Sequence, residues 1–172
     1  ALLYQPLPKG RRVAILTLGG GLGVVAADSC ERLNLEVAPL SPQTIERLNG
    51  ILPRIWPHNN PVDTIGTLNT IFPTLSALLA DRNIDAVLTV TDYTAPEVAE
   101  MEEVREELES TSKMMKEYQK PILACSTGLL IRQPRQGDIQ TYASVDRAAK
   151  VLVRLAEYSE YLSQVKGGKT EP

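Results

Sequence analysis

Aromatic side chains are scarce: one Trp, one Phe and six Tyr make up 5% of 172 residues. A surface that stacks nucleic-acid bases needs such rings, so that class of function is disfavoured. A basic excess is missing as well. Lys and Arg number 18 against 21 Asp and Glu, a net charge of -3, so neither nucleic acid nor an anionic membrane is an expected partner. Cysteine is limited to Cys30 and Cys125, far apart and without a C-x-x-C pattern. The expectation is a reducing, cytoplasmic setting with no disulfide framework. There is one histidine, His58, and no metal-ligand spacing. No apolar run reaches membrane-spanning length, and no signal peptide is visible. An alanine at position 1 leads us to expect a piece of a longer chain, or a processed one.

What is present is the composition of one globular domain, 43% hydrophobic and 23% charged. The run Arg12-Val13-Ala14-Ile15-Leu16-Thr17 is apolar and β-branched and reads as a buried strand. Four glycines follow in Gly19-Gly20-Gly21-Leu22-Gly23, ahead of an alanine- and valine-rich helical segment over 22–33. Strand, glycine loop and helix aim unpaired N–H groups and a helix dipole at an anion. Glycines let the backbone approach a ligand and adopt positive φ. One reading of the loop is a phosphate or carboxylate seat; an equal one is a tight turn whose glycines pack helix on sheet. The loop is neither G-x-G-x-x-G nor a P-loop, since no Lys-Ser/Thr follows the last glycine.

Residues 1–11, with Pro6, Pro8 and Gly10, read as a linker-like lead-in. In the first helix, Val24, Val25, Ala27, Cys30 and Leu33 are expected to face the sheet. A short strand follows at 35–40. Ser41-Pro42 opens a second helix as N-cap and first helical residue, with Ile45, Leu48 and Ile51 on one stripe. Residues 53–66, rich in proline and asparagine, read as an irregular loop holding Asn60-Pro61-Val62-Asp63. Asn60 and Asp63 are expected to brace this loop through Asx-type bonds. Thr70 is favoured over Thr67 as the next N-cap, because Pro73 then falls in the first turn.

Strands at 84–91, 121–125 and 139–142 alternate with helices at 96–118 and from Ser144 onward. Val98, Met101, Arg105, Leu108, Ser112 and Met115 share one face of the first of these helices; its charge run Glu100–Glu109 suits solvent. Val145, Ala148, Ala149, Leu152, Leu155 and Ala156 face inward on the last. Residues 12–165 thus form a single domain, and 166–172 read as a disordered tail. The alternation predicts a flavodoxin-like three-layer α/β fold with a five-stranded parallel sheet in the order 2-1-3-4-5. Ligands of such sheets bind outside the carboxyl ends of the strands, here at the loops 18–23, 91–96 and 126–131. His58 has no carboxylate at a recognisable spacing to make it a base. Cys125, at a strand end, is more readily a structural thiol than a nucleophile.

Several pieces together carry a resemblance: Gln5-Pro6-Leu7-Pro8-Lys9-Gly10, Arg12-Val13-Ala14-Ile15 with the glycine loop and Ala26-Ala27-Asp28, Asn60-Pro61-Val62-Asp63, Asp85-Ala86-Val87-Leu88, Pro121-Ile122-Leu123-Ala124, and the helix with Ala148, Ala149, Leu152 and Leu155. In this order they resemble the CoA-ligase, second flavodoxin-like domain of NDP-forming acyl-CoA synthetases. That family includes ADP-forming acetate–CoA ligase and is related to succinyl-CoA synthetase. The resemblance implies part of an enzyme interconverting acid, CoA and ATP with acyl-CoA, ADP and phosphate through a phosphohistidine. It implies that Gly19, Gly20, Gly21, Leu22 and Gly23 offer one of two facing helix N-termini to the phosphate, with Asn60 and Asp63 in a supporting loop. No catalytic residue and no metal ligand is assigned to this chain. CoA, ATP or ADP, and Mg are implied for the full enzyme and none for this domain alone. The implied partners are a CoA-binding Rossmann domain, a phosphohistidine loop and an ATP-grasp domain. The family's S-H-T-G motif is absent from these 172 residues, and His58 does not replace it. Resembling sequences read T-N-A-G-G-P-G where Leu18 and Leu22 here replace an amide and a proline. The alternative is a non-catalytic ligand-binding or domain-docking module of the same fold.

Overall fold

The computed structural model describes residues 1–65, 68–90, 102–125 and 139–167. Its strands are β1 (Arg12–Thr17), β2 (Glu36–Val37), β3 (Val62–Asp63), β4 (Ala86–Val90), β5 (Ile122–Cys125) and β6 (Gln140–Tyr142). Its helices are α1 (Gly20–Arg32), α2 (Pro42–Asn49), α3 (Ile71–Ala80), α4 (Glu102–Tyr118) and α5 (Val145–Gly167). The main path of the sheet runs β2-β1-β4-β5-β6, all parallel, which is the expected flavodoxin-like order.

Period-two alternation along β1 divides the core. Val13 and Ile15 pack with Ala26 and Cys30 of α1 and Ala148, Leu152 and Leu155 of α5. Ala14 and Leu16 point the other way, against Leu48 of α2, Leu75 and Leu78 of α3 and Met115 of α4. A parallel sheet has no solvent face, so its strands read as continuous apolar runs. All six residues expected inward on the last helix are buried.

The sheet has a sixth strand that the sequence did not announce. Within the segment expected as an irregular loop, Val62 and Asp63 pair with Leu16 and Thr17 as β3. β2 and β3 therefore share one edge of β1: β2 registers on Arg12 and Val13, and β3 on the carboxyl end. The Asn60 carboxamide fills the gap between them. Its Oδ1 accepts from Ile15 N at 2.9 Å, and its Nδ2 donates to Val13 O and Ala38 O, each at 2.8 Å. One side chain thus takes the place of a strand residue, in a peptide (Asn60–Pro61) that is cis.

Other boundaries shift for local reasons. α1 starts at Gly20, not Leu22, and buries Gly23, Ala26, Ser29 and Cys30, while Val24 and Val25 are exposed at 61% and 52%. The helix approaches the sheet so closely at Gly23 that the small-residue face must turn inward. Ser41 caps α2 as expected, its Oγ accepting from Thr44 N at 3.3 Å, with Pro42 first in the helix. Thr70 occupies the N-cap position of α3 but makes no side-chain cap; a 3-10 turn, Leu68–Thr70, leads in instead. Ser144 Oγ accepts from Arg147 N at 3.3 Å, capping α5. That helix runs through Gly167, so Lys166 and Gly167 are helical, not tail, and 168–172 lie outside the described residues. On α4, Met115 is buried and Leu108 and Ser112 are half-buried, as the stripe predicts, with Glu106, Glu107 and Glu109 exposed. Val98 and Met101 lie outside the described residues, as does the start of the expected helix.

The lead-in is no free linker. Gln5 is buried, and its Oε1 accepts from Ile122 N at 3.0 Å, satisfying the first amide of β5. Arg11 forks onto Glu160 of α5 at 2.8 and 2.9 Å.

Replacing Asn60 by Ala leaves Ile15 N and two strand carbonyls without this partner. With unmade buried hydrogen bonds costing about 1–3 kcal/mol each, part of it recovered by water, the expected loss is roughly 2–4 kcal/mol. Urea unfolding of the 172-residue chain measures it; a loss within experimental error would show that the carboxamide does not hold the split edge.

Candidate functional site: an anion seat at the amino terminus of α1

β1 delivers the glycine loop to the carboxyl edge of the sheet, where the fold places ligands. Thr17, fully buried, shapes the exit: its hydroxyl accepts from Gly19 N at 3.2 Å and donates to Gly19 O at 2.9 Å. Gly19, the N-cap, is extended at φ -162 and ψ 136. Gly19 O then accepts from Leu22 N at 3.1 Å and Gly23 N at 3.3 Å. The amides of Gly20 and Gly21 are left without a partner among the described residues. No acidic residue lies in the first turn of α1.

The four glycines separate into two roles. None of them has positive φ, so the expectation of left-handed backbone is not met. A Cβ at Gly23 would lie 3.1 Å from Thr17 Cγ2 and 3.3 Å from Pro61 Cβ, which makes Gly23 the packing glycine. A Cβ at Gly19 or Gly21 would meet nothing within 4 Å. The packing reading of the loop therefore holds at Gly23, while Gly19 and Gly21 have open space around them. Leu18 is half-buried against the core beneath α2 and α3, so it packs where related sequences carry an amide. Leu22 is 41% exposed beside the free amides.

Asp63, at the end of β3, comes to the same place. A Cβ at Gly20 would be 3.4 Å from Asp63 Oδ2. Its other oxygen, Oδ1, accepts from Ile65 N at 2.8 Å, the expected Asx turn. Thr64 follows, buried, with its amide donating to Thr17 O at 2.9 Å. The structure thus brings Gly19, Gly20, Gly21, Leu22, Gly23 and Asp63 together, with Asn60 one step behind them in the sheet edge. Thr17 and the approach of Asp63 to Gly20 were missed. The Thr-x-Gly spacing, which favours a side-chain-to-backbone turn, was the available signal for Thr17.

Remaining candidates take structural places. His58 is exposed, 4.7 Å from the Trp56 ring, with Nε2 3.3 Å from Arg54 O. Cys30 is buried, and desolvation pushes its thiol up to about 12, so no thiolate forms near neutral pH. Cys125 is buried at the end of β5. The edge loops 91–96 and 126–131 lie outside the described residues. Among the described residues no cluster of three or more His, Cys, Asp and Glu could hold a metal, and no helix is long and apolar enough to cross a membrane.

A doubly covered parallel sheet in this strand order, with an open helix N-terminus at its switch point, defines a flavodoxin-like α/β domain. Its relatives are specific. The chain is 42% identical over 88 residues to the alpha subunit of acetate–CoA ligase [ADP-forming] II of Pyrococcus furiosus, a match covering 50% of this chain and 19% of that protein. It is 26% identical to acetate–CoA ligase [ADP-forming] II of Archaeoglobus fulgidus, covering 93% of this chain and 24% of the relative. The solved structure of PH0766 from Pyrococcus horikoshii superposes with a TM-score of 0.72 at 30% identity, over 91% of this chain and 37% of that one. A dinucleotide-forming acetyl-coenzyme A synthetase 1 of Ca. Korarchaeum cryptofilum shares the fold, with a TM-score of 0.71 at 21% identity, over 98% of this chain and 38% of that one. No family model matches. The chain is a homologue of part of the ADP-forming acetate–CoA ligases, as its resemblance to their CoA-ligase domain implied. It spans about a fifth to a quarter of the length of these two curated relatives.

The division among the glycines is measurable. Gly21→Ala should gain helix propensity, up to about 1 kcal/mol, at no steric cost. Gly23→Ala should be less stable than Gly21→Ala by roughly 1–3 kcal/mol through overpacking against Thr17 and Pro61. Equal thermal stability of the two would remove the packing role of Gly23.

Proposed function

We propose that this chain is the CoA-ligase domain of an NDP-forming acyl-CoA synthetase, supplying a helix N-terminus to the site where phosphate is handled. The reaction of that enzyme joins a carboxylic acid and CoA at the expense of ATP, releasing ADP and phosphate. The observation that carries the reading is the pair of unpartnered amides, Gly20 and Gly21, at the carboxyl edge of β1, with open space at Gly21 and the Asp63 carboxylate beside Gly20. They can donate to phosphate oxygens and act together with the α1 dipole, without side chains that must reorganise. A solved relative of this fold was captured with phosphate and ADP, which is consistent with a phosphate site in the assembled enzyme.

Asp63 tunes the seat. Its carboxylate lies beside Gly20 and opposes a free dianion, while its Oδ1 is committed to the turn. A phosphoryl group is then held here most firmly when a second helix N-terminus and the phosphohistidine loop complete the site. We assign those, with CoA, nucleotide and Mg, to other parts of the enzyme. The exposed Leu22, Val24 and Val25 on α1 favour contact with such a part next to the seat.

Phosphate titrated into the 172-residue chain should shift the amide resonances of residues 19–24. Gly21→Asp should abolish these shifts while the fold is kept. Asp63→Asn, which retains the turn acceptor, should tighten phosphate binding by roughly fivefold, the effect of about 1 kcal/mol between nearby charges in a water-like surrounding. Unmoved amides at 19–24 would refute the seat.

The chain alone is expected to show no CoA- and acid-dependent ATP hydrolysis, because the S-H-T-G motif is absent from it. Turnover by the pure chain would contradict the division of labour proposed here.

A further inference from the structure

The opposite edge of the sheet carries a second feature, independent of the glycine loop. Where β1, β4 and β5 begin, an open cleft of about 550 Å³ is lined by Lys9, Arg12, Arg82, Asp85, Tyr118 and Lys120, among others. Its volume falls within the range of small-molecule sites. It gathers positive charge in a chain whose net charge is -3.

The lining charges are not equally committed. The Asp85 side chain is 5% exposed. Its Oδ2 accepts from Arg12 N at 3.1 Å and Arg12 Nε at 3.0 Å, and its Oδ1 from Arg12 Nη2 at 2.9 Å. That carboxylate is therefore spent on Arg12, and Arg11 turns away to Glu160. Lys120 Nζ donates to Leu79 O at 2.7 Å and to Asp81 O, closing the carboxyl end of α3 and leaving one N–H over. Burial lowers the pKa of this ammonium, with Asp81 and Asp85 opposing that shift. Asp81 and Glu36 are further nearby carboxylates; Glu36, exposed on β2 in register with Arg12, attracts that guanidinium. Both Asp81 oxygens accept backbone amides, from Ser41 at 2.8 Å and Asn83 at 2.9 Å. Lys9 and Arg82, both exposed at the rim, have no partner among the described residues. The chain can bring Lys9 over this edge because Gly10 has no side chain: a Cβ there would lie 2.6 Å from Asp85 Oδ2.

We propose that this amino-edge cleft binds an oligophosphate, held from the rim by Lys9 and Arg82 and from the floor by the free N–H groups of Lys120 and Arg12. The chemistry is that of two or more adjacent phosphates. A single carboxylate would leave most of the converging donors unused, whereas a diphosphate offers charge and acceptors to several cations at once. Such a ligand comes either as inorganic diphosphate or as the tail of a nucleotide, whose base would lie against the Tyr118 ring, itself 5.9 Å from Lys120 Nζ. Binding here leaves the α1 terminus free, since the two sites lie at opposite ends of β1.

The test is a titration of the 172-residue chain with pyrophosphate, ADP and adenosine at physiological salt, followed by calorimetry and amide NMR. Pyrophosphate should bind saturably and shift the amides of residues 9–12, 82 and 119–120, in the parent chain and equally in Gly21→Asp. Lys9→Glu combined with Arg82→Glu, both surface changes, should weaken it at least tenfold with an unchanged circular dichroism melt. ADP binding no tighter than pyrophosphate would identify the phosphates alone as the ligand; tighter ADP binding with adenosine inert would identify a nucleotide tail. Shifts confined to residues 19–24, no saturation at physiological salt, or unchanged affinity in the double variant would each overturn the proposal. Gly21→Asp removes the glycine-loop seat while leaving this cleft intact, so the two readings fail separately.

Discussion

The architecture rests on one carboxamide. β1 is the strand from which the ligand edge is built, and one of its sides is served by two short strands that do not meet. Backbone groups buried between them need partners, since an unpaired donor or acceptor costs more than a hydrogen bond gains. Asn60 is suited to this because it carries an acceptor and two donors on one rigid group. Once it is in place, β3 can continue along β1, and Asp63 and Thr64 are carried to the carboxyl edge. The glycine loop acquires its neighbours as a result. Fold and candidate site share one cause here: the residue that repairs the sheet also delivers the carboxylate beside Gly20.

The glycine loop shows how a cluster of one residue type can serve two ends. Gly23 is where α1 touches Thr17 and Pro61, and this contact sets the height of the helix above the sheet. Gly20 and Gly21 begin the helix with amides that have no partner among the described residues, Gly20 beside Asp63 and Gly21 in open space. A larger residue at Gly23 would press on Thr17 and Pro61, shift the helix and re-aim those amides. Leu18, which stands where resembling sequences carry an amide, is half-buried against the core beneath α2 and α3.

Much of the layout was legible because it follows from periodicity. The apolar runs of β1, β4 and β5 have no polar alternation to confuse them with half-exposed strands, and Ser41-Pro42 announces α2 by cap chemistry alone. β3 was not legible, because two residues between prolines and asparagines carry no strand pattern and their pairing depends on a side chain 45 residues away from Ile15. The inward face of α1 was misjudged for a related reason. Hydrophobicity nominated Val24 and Val25, whereas the closeness of helix and sheet selected Gly23 and Ala26. The glycine loop was recognised as a candidate site, but the carboxylate that shares it comes from β3, whose register no local pattern gives away.

The lead-in also changes what the fold can transmit. Gln5 is hydrogen-bonded into the start of β5, and Arg11 is forked onto α5, so the first eleven residues are anchored at two points on different layers. A force or displacement applied to the amino terminus is therefore delivered to a central strand and to the longest described helix instead of being absorbed by slack chain. The first eleven residues are thus coupled to the sheet and to its covering helix, so strain at either anchor reaches both layers.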